Sequence, residues 1–236
     1  MSLLSQRDRK QYNRGVKVGS SSPCALSVRE AIEIQSRLAN WIAKTGELIN
    51  PKLVAGVDIS AKRAAKTARA SVVVLSFPEL EVVETNTIEG QLNFPYVPGL
   101  LSFREAPLSV AVCNSLKSVP DVFLIDGQGF AHPRRFGFAC HVGLLLDKPT
   151  IGCAKSLLLG KYEEPGATSG NQAQIIDNNE LIGAAVRTRR NTKAVYVSIG
   201  HKIDLPGAID MVLKCCRGYR IPEPLRLAHI EAGKLK

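Results

Sequence analysis

Two aspartates stand out because each closes a run of residues that has no other use for charge. Leu53-Val54-Ala55-Gly56-Val57 runs into Asp58, and Val122-Phe123-Leu124-Ile125 runs into Asp126. A carboxylate in such a strand is costly unless it is paired or binds a cation. Two strand-borne acids in one sheet can converge on one hard cation, and Mg²⁺ takes oxygen ligands. Each aspartate taken alone could equally cap a turn. Glu105, in Phe103-Arg104-Glu105-Ala106-Pro107, is a third acid at the start of an expected helix. It could face the same site, or sit exposed where the helix dipole favours negative charge.

Around Asp126 the chain carries further chemistry. Gly127-Gln128-Gly129 leads into His132-Pro133-Arg134-Arg135. Glycines allow close backbone approach to a ligand, and two arginines beside a histidine suit phosphate contact. A loop with surface arginines would look the same. His141 lies a few residues on. Lys155 closes Ile151-Gly152-Cys153-Ala154, at the end where parallel strands display functional groups. Pro95-Tyr96-Val97-Pro98 is a stiff loop presenting one aromatic ring, which could wedge into a base stack or fold back onto the protein. The chain has no Ser/His/Asp constellation, no Walker loop and no Rossmann glycine fingerprint, which counts against NTPases and dinucleotide enzymes.

The elements that must position these residues can be read from periodicity and punctuation. An amphipathic helix is predicted over 26–45, opened by a Ser27/Glu30 capping box, with Ile32, Ile34, Leu38 and Ile42 on its apolar side. Strands at 53–60, 70–77 and 80–89 suggest an antiparallel meander. After the loop 94–99 a helix runs to about Ser118, with Pro107 suiting its first turn. Strand 121–126, helix 136–147 and strand 149–154 form a strand–helix–strand unit with parallel strands. A loop or hairpin spans 160–178. Strands at 180–187 and 194–199 and helices at about 205–216 and 224–235 complete the chain. The expected architecture is mixed α/β, a meander feeding a partly parallel central sheet with helices on both faces.

Bulk properties bound the rest. The chain has 236 residues, enough for one well-filled core, with 45% hydrophobic and 22% charged residues, as in ordinary globular proteins. Residues 1–25 read as a basic, flexible arm, and 26–236 as a single catalytic domain. The net charge of +10, from 31 basic and 21 acidic residues, favours a polyanionic partner. Six cysteines lack the spacing of a zinc or redox site and read as reduced, buried thiols. No window has the ~18 apolar residues of a membrane span, and no signal core opens the chain. A cytoplasmic monomer is the expectation.

Five stretches together resemble the endonuclease V family: VAGVDIS at 54–60, FPYVPGLLSFREAP at 94–107, DVFLIDGQGFAHPRRFGFACHVGLLLDKPTIGCAKSLL at 121–158, VYVSIGHKIDL at 195–205 and RIPEPLRLAH at 220–229. The resemblance implies a ribonuclease H-like fold and a divalent metal, Mg²⁺ with Mn²⁺ accepted. It implies hydrolysis of the second phosphodiester 3′ to deoxyinosine in DNA, leaving 3′-hydroxyl and 5′-phosphate ends, in repair of deaminated purines. Inosine in RNA is the alternative substrate. By position, Asp58, Glu105 and Asp126 match the family's acidic metal site and His229 a histidine near it. Tyr96 matches a strand-separating wedge. Lys155 and His132 match residues near the scissile phosphate, with Arg134 and Arg135 as further phosphate contacts. Gly127, Gly129 and Leu101 match the walls of the hypoxanthine pocket. The chain departs from the family pattern at Lys202-Ile203-Asp204, which leaves Asp204 without an implied role. Rival readings are another metal nuclease, such as a junction resolvase, and a non-catalytic nucleic-acid-binding module.

Overall fold

Strand β1 (Leu53–Ser60) alternates between two cores, and that alternation decides where its acid points. Val54 joins one apolar cluster, and Ala55 and Val57 join another on the opposite face. Gly56 and Asp58 share the parity of Val54, because successive strand residues face opposite sides of a sheet. These observations come from a computed structural model that describes residues 26–62 and 64–234. The arm read over 1–25 lies outside the described residues.

β1 pairs antiparallel with β2 (Thr67–Ser76), which pairs antiparallel with β3 (Val82–Gln91), giving the expected meander. On its other side β1 runs parallel to β4 (Val122–Ile125), and β4 parallel to β5 (Thr150–Ala154). Beyond β5 come β8 (Val195–His201), β7 (Glu180–Val186) and β6 (Gln172–Asp177), each antiparallel to its neighbour. The order is β3-β2-β1-β4-β5-β8-β7-β6 in one eight-stranded sheet. β6 is the paired half of the segment read as a loop or hairpin. It turns into β7 through Asn178 and Asn179, both with positive φ (51° and 63°), the backbone of a two-residue hairpin turn.

Helices cover both faces. α1 (Val28–Ala39) packs beside α2 (Leu101–Asn114) and α3 (Phe138–Leu146), through apolar clusters that join Ala31 to Phe103 and Leu38 to Cys140. α2 and α3 bury Ala106, Val112, Ala139 and Val142 against Ala55, Val57 and Phe123. α4 (Leu205–Lys214) and α5 (Glu223–Gly233) bury Ile209, Val212, Leu225 and Ala228 against Val54, Leu124 and Ile151 on the other face.

Two helices differ in detail from the expected ones. The Ser27/Glu30 capping box forms and Ile34, Leu38 and Ile42 pack inward as expected, but the helix ends at Ala39, Ile32 is 38% exposed, and Ala31 and Gln35 are buried in its place. Gln35 tolerates burial because its amide is satisfied there: Nε2 donates to the carbonyls of Gly99 (3.1 Å) and Phe136 (2.6 Å). α2 starts at Leu101, so Pro107 lies in its interior and not its first turn, and the helix stops at Asn114. Gly99, at φ 78°, and Pro98 break the chain just before it. The buried Leu100 and Phe103 then seat its first turn against Phe94 and Ala31, which holds the helix despite the hydrogen bond that an internal proline removes.

Gly56 shows how tightly the α5 face is built. A Cβ placed there would lie 2.1 Å from the Pro224 carbonyl carbon and oxygen, so α5 rests directly on the β1 backbone. Gly56→Ala should force the helix outward and cost on the order of 2 kcal/mol or more. Chemical denaturation checks this; an unchanged midpoint would mean that the helix can slide freely over β1.

Candidate active site

The parallel register Val57↔Ile125 places Asp58, within β1, beside Asp126, just past β4, and the Asp126 amide donates to the Val57 carbonyl (3.1 Å). Asp58 keeps the parity of Gly56 and so faces α5, where His229 meets it. His229 Nδ1 lies 2.6 Å from Asp58 Oδ2. Ligand-capable atoms of Asp58, Asp126 and His229 all fall within 4.8 Å of one another. Lys155, one residue past β5, sets its ammonium 2.5 Å from Asp126 Oδ2.

The electrostatics follow from this crowding. Burial raises the Asp58 pKa, the neighbouring Asp126 charge raises it further, and the His229 hydrogen bond and Lys155 oppose both. Two carboxylates and an imidazole turned on one point are a fit set for a hard or borderline divalent cation. Glu105 belongs to the same field but not to the tight cluster. It rises from α2 on the opposite face, across the strand ends. Burial pushes its carboxyl up to about 7, with Asp58 and Asp126 adding to the rise against Arg104.

A cleft of about 380 Å³ opens beside the cluster. Glu105, Asp126 and Lys155 form its charged side, and Leu101, Phe138, Leu157 and Leu158 its apolar walls. Gly127 and Gln128 line its floor. A side chain at Gly127 would press on the Phe138 ring, at 3.2 Å. Gly129 serves packing: a Cβ there would meet the Ile199 carbonyl at 2.1 Å, and its amide donates to Ser198 Oγ (2.9 Å).

The loop carrying Tyr96 is held from below. The Gly99 carbonyl accepts from Gln35 Nε2 (3.1 Å), His132 Nε2 (3.1 Å) and an Arg134 guanidinium nitrogen (2.7 Å). Arg134 also donates to Gln35 Oε1. Tyr96 stays 37% exposed above this clamp. Arg135 is paired with Asp177 (2.8 Å) and Glu180 (2.6 Å) on the β6–β7 hairpin. Both arginines that the sequence offers for phosphate therefore have carbonyl or carboxylate partners within the protein. Asp204, left without a role, caps α4 by accepting from the Gly207 amide (2.8 Å).

Residues that pattern reading missed do much of the positioning. Gln35 is one; a polar residue in an otherwise buried helical stripe was its only signal. Arg220 is another: its guanidinium donates to the carbonyls of Lys155 (2.6 Å), Lys193 (2.9 Å) and Ala194 (2.8 Å). It sits within the 220–229 stretch, where nothing local marks which carbonyls it gathers. Among the described cysteines, Cys113, Cys140, Cys153 and Cys215 are buried free thiols and Cys216 is partly so, as expected.

A parallel-centred α/β sheet with acids side by side on adjacent strands is the frame of a ribonuclease H-like nuclease. The endonuclease V family model matches residues 36–230. An endonuclease V of Dehalococcoides mccartyi is 46% identical over 220 residues, covering 93% of this chain and 99% of that protein. The crystal structure of endonuclease V from Streptomyces avermitilis superposes with a TM-score of 0.85 at 38% identity, covering 92% of this chain and 95% of that one. That of Ciona intestinalis endonuclease V, in complex with a 24mer DNA containing an inosine followed by a ribo-adenosine, gives 0.77 at 34% identity over 88% and 96%. The chain belongs to the endonuclease V family and is a nuclease. No helix of the described residues is long and apolar enough to cross a membrane.

His132 yields a pH prediction. Its Nε2 bonds to the Gly99 carbonyl and its Nδ1 accepts from the Arg134 amide (3.2 Å), the pattern of a neutral ring. Burial, with Arg134 beside it, lowers its pKa to about 4. The unfolded chain takes up this proton near 6.5, so the stability that the neutral ring contributes is present above 6.5 and lost as pH falls towards 4. Wild type should therefore lose stability relative to His132→Gln by up to about 1.4 kcal/mol per pH unit over that range. Denaturation at several pH values tests this; a pH-independent gap would show that the folded protein protonates His132 freely.

Proposed function

We propose that this nuclease hydrolyses nucleic acid next to hypoxanthine, at the second phosphodiester 3′ to deoxyinosine in DNA, and that it needs a divalent metal. The observation that carries this reading is the convergence of Asp58, Asp126 and His229 beside Lys155 on the rim of the cleft. The inosine-containing DNA bound by the Ciona protein supports the substrate.

Asp58 and Asp126 would hold the metal, with His229 and Glu105 completing its surroundings. Oxygen donors favour Mg²⁺, and an imidazole among them lets Mn²⁺ substitute. When bound there, a cation would supply Lewis-acid polarisation of the phosphate and activation of a water. Lys155 places a positive charge where the scissile phosphate must lie and stabilises its developing charge. Glu105 faces Asp58 and Asp126 with its own carboxyl raised to about 7 by burial, and a bound cation would favour its ionised form. The flipped base would enter between Leu101 and the Gly127-Gln128 backbone, while Tyr96 fills the space it leaves. His132 acts one step back, by holding the Gly99 end of the Tyr96 loop.

The test uses end-labelled strands with one deoxyinosine, with inosine in RNA, or unmodified, each with and without Mg²⁺. The reading expects a metal-dependent nick one nucleotide beyond the lesion, and the two sugars show which nucleic acid is preferred. Equal cutting of the unmodified strand would remove the hypoxanthine reading.

Two substitutions sharpen it. Asp126→Asn should lower cleavage by at least about 100-fold while lesion binding persists; a variant that cuts normally would contradict the metal assignment. Tyr96→Ala should raise the Kd for the lesion strand by about tenfold and leave the saturated rate nearly unchanged. An unaltered Kd would rule out the wedge.

A further inference from the structure

A second concentration of positive charge lies just beyond the cleft. β7 and β8 pair as far as Val186↔Val195, and the connecting turn over 187–193 reads Arg-Thr-Arg-Arg-Asn-Thr-Lys, with four cations and no acid. β8 also pairs with β5 at Ala154↔Tyr196. The turn therefore leaves the sheet at the same end as Lys155. Arg189, Arg190 and Lys193 are exposed.

The turn is built to present these side chains from a fixed backbone. Arg187 is only 7% exposed. It donates to the carbonyls of Gly166 (3.1 Å), Pro165 (2.7 Å) and Thr192, and pairs with Glu164 (2.6 Å). It thereby ties the 164–167 loop to the end of the turn and takes up that loop's acid. The Asn191 amide bonds to the Ala167 carbonyl (3.0 Å), and the Thr192 hydroxyl to the Arg189 carbonyl (2.8 Å). Arg220 then grips the Lys155, Lys193 and Ala194 carbonyls together. One guanidinium thus joins the backbone of the active-site lysine to that of the turn.

Clustered exposed cations repel one another, and a polyanion lying across them relieves that repulsion. The geometry points to the β7–β8 turn as a second phosphate-binding surface, continuous with Lys155, for the sugar–phosphate backbone flanking the cleaved bond. It rests on the nuclease reading above. Arg189 and Arg190 suit bidentate phosphate contact, and none of the three side chains needs to read a base. The contribution is to affinity and its salt dependence, not to lesion choice.

The test is a triple variant, Arg189→Gln, Arg190→Gln and Lys193→Gln, with binding measured without metal over a salt series. Two inosine strands are compared, one covering only the lesion and scissile bond, the other extending on the order of ten nucleotides to either side. Each lost contact reduces the slope of log Kd against log salt by about 0.7 to 0.9, so the long strand should lose about 2 to 3. The short strand should bind as to wild type, and the Arg189→Lys, Arg190→Lys variant should keep the wild-type slope. An unchanged slope on the long strand, or an equal loss on the short one, would overturn the proposal. Mg²⁺-dependent cleavage of the short strand by wild type reports the nuclease reading separately. Its failure would strike that reading even with the slope difference intact.

Discussion

Two carboxylates held side by side on neighbouring strands are the constraint to which the rest of this structure responds. The β1–β4 register fixes the backbone of Asp58 beside that of Asp126, and like charges at such range oppose each other's ionisation. The fold answers from two directions. α5 brings His229 onto Asp58 from one face, and the end of β5 brings Lys155 onto Asp126. Each answer depends on a contact remote from the chemistry. Without the bare backbone at Gly56, α5 could not come close enough. Without Arg220, the Lys155 carbonyl would lose a charged donor. Burial first, and the Asp126 charge second, still leave the Asp58 pKa raised against the pull of His229 and Lys155, and a divalent cation would favour the ionised form of both carboxylates.

The same economy of placement governs the basic residues. A net charge of +10 suggests a polyanion but does not say which cations face it. Arg134, Arg135, Arg187 and Arg220 all hold carbonyls or carboxylates of their own chain. Their work is to fix loops around the cleft, since a guanidinium with five donors can bind several carbonyls at once. Arg187 and Arg220 in particular fix the backbone of the turn that exposes Arg189, Arg190 and Lys193.

The strands that carry the aspartates were legible in the sequence because an acid at the end of a continuous apolar run is tolerated only when something pairs with it or binds it. The meander and the parallel unit were legible through run length and punctuation. β6 was harder. As an edge strand, it buries only Ile175 fully, and Gln172, Gln174 and Asp177 give it the polarity of a loop. The start of α2 was obscured by Pro107, which reads as a first-turn residue until tertiary packing of Leu100 and Phe103 is known. Gln35 and Arg220 were not legible as positioning residues because their partners are main-chain carbonyls far away in sequence, which no local pattern announces. The distance of Glu105 from the tight cluster was also hidden, since it depends on which face of the sheet its helix covers.

The four histidines show why residue type alone could not assign the site. His132, His141 and His201 are buried, and burial lowers the pKa of each, His141 to about 3. His141 lies between the Phe103 and Phe136 rings, His201 accepts the Ala43 amide through Nδ1 (3.2 Å), and His132 bonds the Gly99 carbonyl from the wall of the cleft. His229 differs in being an exposed side chain with one nitrogen on a buried carboxylate. Its other nitrogen belongs to a ring open to solvent, so the imidazole can serve a ligand without first being drawn out of a core. The motif around His132 attracts attention because it is dense in glycine and arginine, yet that density builds a clamp for the Tyr96 loop. The histidine beside the acids sits in a plain amphipathic helix, and its place is decided by the approach of α5 to Gly56, two residues before Asp58 on the same face of β1.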